Sequence, residues 1–101
     1  MVKKIGKNDF KEATKGLTLV DFYADWCGPC RMVGPVVEDL SKSMTDVNFT
    51  KVDVDEEGEL AGLFGVRSIP TLILFKDGTE VDRIVGFAPK QKLESLINSH
   101  K

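Results

Sequence analysis

Trp26-Cys27-Gly28-Pro29-Cys30 contains both cysteines of the chain, separated by two residues. Upstream lies Leu17-Thr18-Leu19-Val20-Asp21-Phe22-Tyr23-Ala24, rich in the β-branched and aromatic residues that favour strands. Downstream, Met32, Val36, Val37, Leu40 and Met44 recur at the spacing of one helix face. A strand that turns into a helix here sets the first thiol at the helix N-terminus. Unsatisfied N–H groups and the positive end of the dipole favour a thiolate there. Thiolate is the form that attacks disulfides, so the stretch reads as a dithiol redox centre.

The rest of the composition narrows the alternatives. A chain of 101 residues, 42% apolar and 30% charged, suits one soluble globular domain. Fourteen basic against 16 acidic residues leave a net charge of −2, which gives no electrostatic case for nucleic acid or an anionic membrane. The apolar run Leu72-Ile73-Leu74-Phe75 is far too short to span a bilayer. Met1-Val2-Lys3-Lys4-Ile5-Gly6-Lys7 is basic but has no apolar segment behind it, so no signal peptide is expected and a cytoplasmic location is. In a reducing compartment two cysteines are a poor structural staple. A bridge across so tight a loop stabilises by only about 2 kcal/mol, and random placement would give this spacing in roughly 2% of cases. Chemistry is the better account of the pair.

The spacing of apolar and turn-forming residues predicts the remaining elements. Val2 to Ile5 is read as a short edge strand. A brief helix follows to Thr14, capped by Asn8 or Asp9, with Glu12 closing a capping box on Asp9 and Gly16 ending the segment. Leu17 to Ala24 is apolar on both faces, as a covered central strand should be. The main helix runs from about Cys27 to Met44, with Pro35 expected to kink rather than stop it. Val47 to Val54 is a strand, and Asp55 is read as the cap of a weak helix to Phe64 that ends at a left-handed Gly65. Thr71 to Lys76, the turn Asp77-Gly78 and Glu80 to Val85 form a hairpin. Pro89 is placed at the first position of a last helix whose inner stripe is Leu93, Leu96 and Ile97. The order β-α-β-α-β-α-β-β-α predicts an α/β fold, a central mixed sheet of four to five strands flanked by four helices.

Over essentially its whole length the chain resembles the thioredoxin family. The matching stretches are Val20 to Arg31, Lys51-Val52-Asp53-Val54-Asp55, Arg67-Ser68-Ile69-Pro70-Thr71 through Gly78, and Val85-Gly86. Tyr23 stands where many members carry Trp, and Ser68 where many carry Gly. The resemblance implies a thioredoxin fold, with residues 1–101 a single domain and a monomer. It implies a thiol-disulfide oxidoreductase that reduces protein disulfides, with no bound cofactor beyond its own Cys27-Cys30 pair. Electrons would come from NADPH through a flavin-containing thioredoxin reductase. The clients would be disulfide-bearing proteins such as reductases and peroxidases.

Residue roles follow from position and from the resemblance together. Cys27, at the helix start, is expected to be partly exposed and nucleophilic, and Cys30, one turn inside on the same face, to resolve the mixed disulfide. Pro29 fixes φ and removes an N–H that could otherwise stabilise a thiolate, which resembles the reducing end of the family. Asp21, amid Leu19, Val20 and Phe22, is either a strand-edge carboxylate facing water or a buried one with a raised pKa that can take the Cys30 proton. The family match favours the second reading. Lys51 would ordinarily be a solvated strand residue, but it resembles a family lysine near that aspartate. Ile69-Pro70 resembles the family's cis-proline loop, where Ile69 could pair with an extended substrate strand. Trp26, Gly28, Pro29, Ile69, Pro70 and Gly86 would form an uncharged docking rim; Phe87 is read as core or incidental exposure.

Three rival functions need different observations. Zinc requires four ligands, and His100 near the C-terminus is the only histidine, so a metal site would need a second copy of the chain. A scaffold that grips partners without turnover would keep its function after Cys27→Ser. A disulfide editor would need a higher potential than Gly28-Pro29 suggests.

Overall fold

Leu19, Val20, Asp21 and Phe22 are all buried, so the segment that holds them must be covered on both faces. It is the middle strand of a five-stranded sheet in the computed structural model, which describes residues 1–101. In chain order the elements are β1 (Lys3–Lys4), α1 (Phe10–Ala13), β2 (Leu17–Tyr23), α2 (Gly28–Ser43) and β3 (Asn48–Asp53). They continue with α3 (Gly58–Leu63), β4 (Thr71–Lys76), β5 (Thr79–Val85) and α4 (Lys90–Asn98). The sheet order is β1-β3-β2-β4-β5, with β1, β3 and β2 parallel and β4 and β5 each antiparallel to its neighbour. This is the predicted element order, and the predicted mixed sheet.

Alternation along the strands builds two cores. Leu19, Leu72 and Leu74 point to one face and pack with Val33, Val37 and Leu40 of α2 and with Leu93 and Ile97 of α4. Val20, Phe22, Ile73 and Phe75 point to the other and meet Leu60 and Ala61 of α3, with Phe10 and Ala13 of α1 behind them. The second core carries an aromatic group in which Phe10, Phe22, Phe64 and Phe75 lie 5.0–6.4 Å apart between ring centroids. All four contacts are tilted or edge-on, as ring quadrupoles prefer.

Several local expectations need correction. The inner face of α2 is Cys30, Val33, Val37 and Leu40, extended by buried Met44. Met32, assigned to it from sequence, is 62% exposed, because a residue two positions after Cys30 points away from that face. Asp9 does cap α1 in position, but its side chain accepts from the Gly6 N–H, and Glu12 pairs with Lys15 instead of closing a capping box. The cap of α3 is Glu57, not Asp55. Its other end holds as expected: Gly65 has φ +65°, its N–H bonds to Gly62 O and the Val66 N–H to Ala61 O, a complete Schellman closure. Pro89 is the cap of α4 rather than its first helical residue. Helix α2 continues through Pro35, which leaves the Arg31 carbonyl without its usual partner.

Leu40 is fully buried between α2, α4 and the sheet. Leu40→Ala is expected to cost about 2–5 kcal/mol, read as a lower urea midpoint at unchanged slope. A loss well under about 1 kcal/mol would contradict this account of the first core.

Candidate active site

The chain leaves β2 at Tyr23, and Ala24, 1% exposed, is still part of the interior. The Cys27 N–H returns to the Ala24 carbonyl at 3.2 Å, closing a turn that throws Asp25 and Trp26 outward. Cys27 is then the cap of α2, with extended backbone at φ −87° and ψ 115°. Its Sγ accepts the Cys30 N–H at 3.2 Å. A sulfur thus fills the place that a Ser or Asp oxygen takes at most helix starts. Pro29 sits in the first turn, where its missing N–H leaves no gap in the helix. Cys27 and Cys30 are joined as a disulfide with Cα atoms 5.3 Å apart.

Both sulfurs are covered. Cys27 is 4% and Cys30 5% exposed, so the expected contrast between an outer and an inner cysteine is absent in the disulfide state. Ala24, Tyr23, Val54 and Ile69 pack against the pair. The Ile69 carbonyl oxygen lies 3.8 Å from Cys27 Sγ. The Ile69–Pro70 bond is cis, as the resemblance implied. Pro70 is buried rather than part of an exposed rim. Its carbonyl accepts the Gly86 N–H at 2.7 Å, and Gly86 has φ +91°, a backbone setting that side chains resist.

Trp26 is 67% exposed, with Gly28 and Pro29 exposed and Ile69 half-buried beside it. Val85 and Phe87, at 59% and 45% exposure, flank Gly86 and extend the apolar surface. Phe87 is therefore surface and not core. Sequence reasoning gave Val85 no role, because an apolar strand end looks the same whether it is covered or not. It also missed Asp55, whose carboxylate accepts the Trp26 indole N–H at 2.9 Å. An exposed Trp whose N–H needs an acceptor, with an aspartate closing the adjoining strand pattern, was the available signal.

Asp21 and Lys51 face each other in register across β2 and β3. Asp21 is 4% exposed, and its Oδ1 has no hydrogen-bond partner. Burial pushes its carboxyl up to about 7, against the opposing pull of the Lys51 ammonium. The half-buried Lys51 also places its Nζ 5.5 Å from the Tyr23 ring centroid. Asp21 lines a cavity of about 120 Å³ with Lys51, Glu38, Val2, Gly34 and Val37. Gly34 and Val37 follow Cys30 by one and two helical turns, so the cavity lies along the same face of α2. No group of three or more His, Cys, Asp or Glu side chains is arranged to hold a metal ion.

A disulfide that caps a helix, closed by a three-residue step and bordered by exposed apolar surface, defines a dithiol–disulfide oxidoreductase. The sequence matches the family model described as thioredoxin over residues 1–99, and the chain belongs to the thioredoxin family. It is 48% identical to a thioredoxin of Bacillus subtilis over 101 residues, covering 99% of this chain and 97% of that one. It is 50% identical to a thioredoxin of Chlamydia pneumoniae, covering 99% of each. Among solved structures, a Malassezia sympodialis thioredoxin superposes with a TM-score of 0.88 at 42% identity, covering 99% of this chain and 90% of that one. A Plasmodium falciparum thioredoxin gives 0.89 at 37%, covering 99% and 100%. No helix is long and apolar enough to cross a membrane.

The raised Asp21 pKa has a defined consequence for stability. Between about pH 4 and pH 7 the folded chain holds a proton that the unfolded chain releases, so this carboxyl stabilises fully at low pH and its contribution is lost as pH rises through about 7. Asp21→Asn removes that loss. Above pH 7 the oxidised variant should exceed the parent in stability by up to about 4 kcal/mol, with the difference shrinking towards pH 4. Denaturant unfolding of both proteins from pH 4 to pH 8.5 checks it, and parallel pH profiles would refute the burial account.

Proposed function

We propose that this chain reduces protein disulfides through a two-step exchange in which Cys27 attacks and Cys30 resolves. The Cys27 thiolate bonds to one sulfur of the client disulfide, and the other client sulfur leaves as a thiolate. The Cys30 thiolate then attacks Cys27 Sγ, the second client sulfur leaves, and the Cys27–Cys30 disulfide remains. Two electrons pass from this protein to its client. The observation that carries this reading is the Cys30 N–H directed at Cys27 Sγ, a donor that favours negative charge on the first sulfur.

Asp21 is assigned the Cys30 proton. With a pKa of about 7 it is poised to accept a proton near neutrality, and the cavity it lines runs along the helix face below Cys30. Lys51 tunes it by charge. Trp26, Gly28, Pro29, Ile69 and Gly86 hold the client as an extended segment against Ile69, with Pro70 beneath supporting Gly86. The chain acts as a single-domain monomer in the cytoplasm without a bound cofactor. It receives electrons from NADPH through a flavin-containing thioredoxin reductase and passes them to clients such as reductases and peroxidases.

Insulin reduction with dithiothreitol as electron source tests the exchange. Cys27→Ser should lower turnover by about a thousandfold or more. Cys30→Ser should accumulate mixed disulfides through Cys27, visible by mass spectrometry under non-reducing conditions. A folded Cys27→Ser protein that keeps its partners and its function would instead mark a scaffold. Pro29→His, which adds a cation able to stabilise the thiolate, should raise the reduction potential by on the order of 30 mV or more in a glutathione titration.

A further inference from the structure

Beside the dithiol, Arg31 makes two contacts with no assigned role. Its Nε and Nη2 both donate to the Asp25 carbonyl oxygen, at 3.1 and 2.8 Å. No backbone N–H reaches that carbonyl. The Arg31 backbone N–H donates to the Cys27 carbonyl at 3.3 Å. One residue therefore ties down the carbonyls on both sides of Trp26.

The placement runs against helix electrostatics. Arg31 lies in the opening turn of α2, where the dipole disfavours a cation, and no acidic residue of that turn offsets it. An arginine that only decorated the surface would be better placed at the other end of the helix. The fork onto Asp25 compensates, and it requires a planar guanidinium with two adjacent donors, which lysine lacks.

From this geometry we infer that Arg31 is a positioning residue for the exchange: its guanidinium clamps the Asp25–Cys27 turn and so fixes Trp26 and Cys27 Sγ at the helix N-terminus. The inference rests on the dithiol reading above and extends it to the segment that presents the nucleophile. Besides the Cys27–Cys30 bridge and the Cys27 Sγ contacts already described, the turn has one other side-chain tether, from the Trp26 indole N–H to the Asp55 carboxylate. With both in place the turn is anchored through the Asp25 carbonyl and through the indole N–H, and a client meets a preformed surface.

Trp26 is the only tryptophan, so its fluorescence reports on this turn alone. The test compares parent, Arg31→Ala and Arg31→Lys by time-resolved Trp26 anisotropy and by kcat/KM for insulin reduction, with thermal unfolding as control. Both variants should show added nanosecond motion of the indole and a severalfold loss in kcat/KM, carried mainly by KM. Arg31 is exposed, so the unfolding midpoint should hold nearly constant. An Arg31→Lys protein that matches the parent in both readouts would show that charge alone matters and overturn the clamp. An Arg31→Ala protein with parental anisotropy would overturn it as well. The anisotropy needs no turnover, so a parent inactive on insulin would defeat the dithiol reading while leaving the clamp measurable.

Discussion

A sulfur occupies the cap of α2, and the rest of the active site depends on that one hydrogen bond. Helix starts leave N–H groups without partners, and an oxygen side chain usually answers them. Here the Cys30 N–H is answered by Cys27 Sγ. The contact satisfies the helix and directs a donor at the atom that must carry negative charge. Because Pro29 contributes no N–H of its own, the first turn has one backbone donor fewer to offer the sulfur. Structure and redox chemistry use the same bond.

The sheet brings the other parts of the site to that cap through β4, the one strand that runs against the other four. Strands β1, β3 and β2 run parallel, and β4 reverses. Thr71 at the start of β4 pairs with Phe22 near the end of β2, and Val85 at the end of β5 pairs with Thr71. The segments that carry Ile69-Pro70 and Gly86 therefore open where β2 delivers Cys27. An all-parallel sheet would have started β4 at the opposite edge, one sheet height away from the thiols.

How much of this could be read from the residues varied with the physics involved. The Cys-x-x-Cys after a doubly apolar strand was legible, because strand, turn and helix each leave a local pattern. Burial of Asp21 was legible as one of two readings, and the family match, more than its neighbours Leu19, Val20 and Phe22, favoured the correct one. Errors fell where three-dimensional competition decides the outcome. Asp55 has the chemistry of a helix cap, yet the Trp26 N–H takes its carboxylate, and that partner is 29 residues away in sequence. Met32 looked apolar and interior, but one helix face can hold only the Cys30-Val33-Val37-Leu40 set. Cys27 looked exposed at a helix end. Packing by Ile69, which lies 42 residues further on, covers it.

A buried carboxylate without a partner is costly, and its persistence needs a reason. Each carboxyl whose pKa is clearly shifted downward here has a basic side chain bonded to it at the surface: Glu12 with Lys15, Asp39 with Lys90, Asp46 with Lys101, Asp82 with His100. Asp21 alone goes the other way, with burial outweighing the nearby Lys51. An apolar residue at this place would fit the surrounding core and stabilise the fold. Replacing Lys51 by an apolar residue would deepen the Asp21 penalty, while a closer Lys51 would lower the pKa away from neutrality. The pair sits between those limits. The half-exposed ammonium lowers the cost of the charge without fixing the carboxylate in its ionised form, and a proton acceptor near pH 7 is the one property that neither a hydrophobic residue nor a tight ion pair would supply.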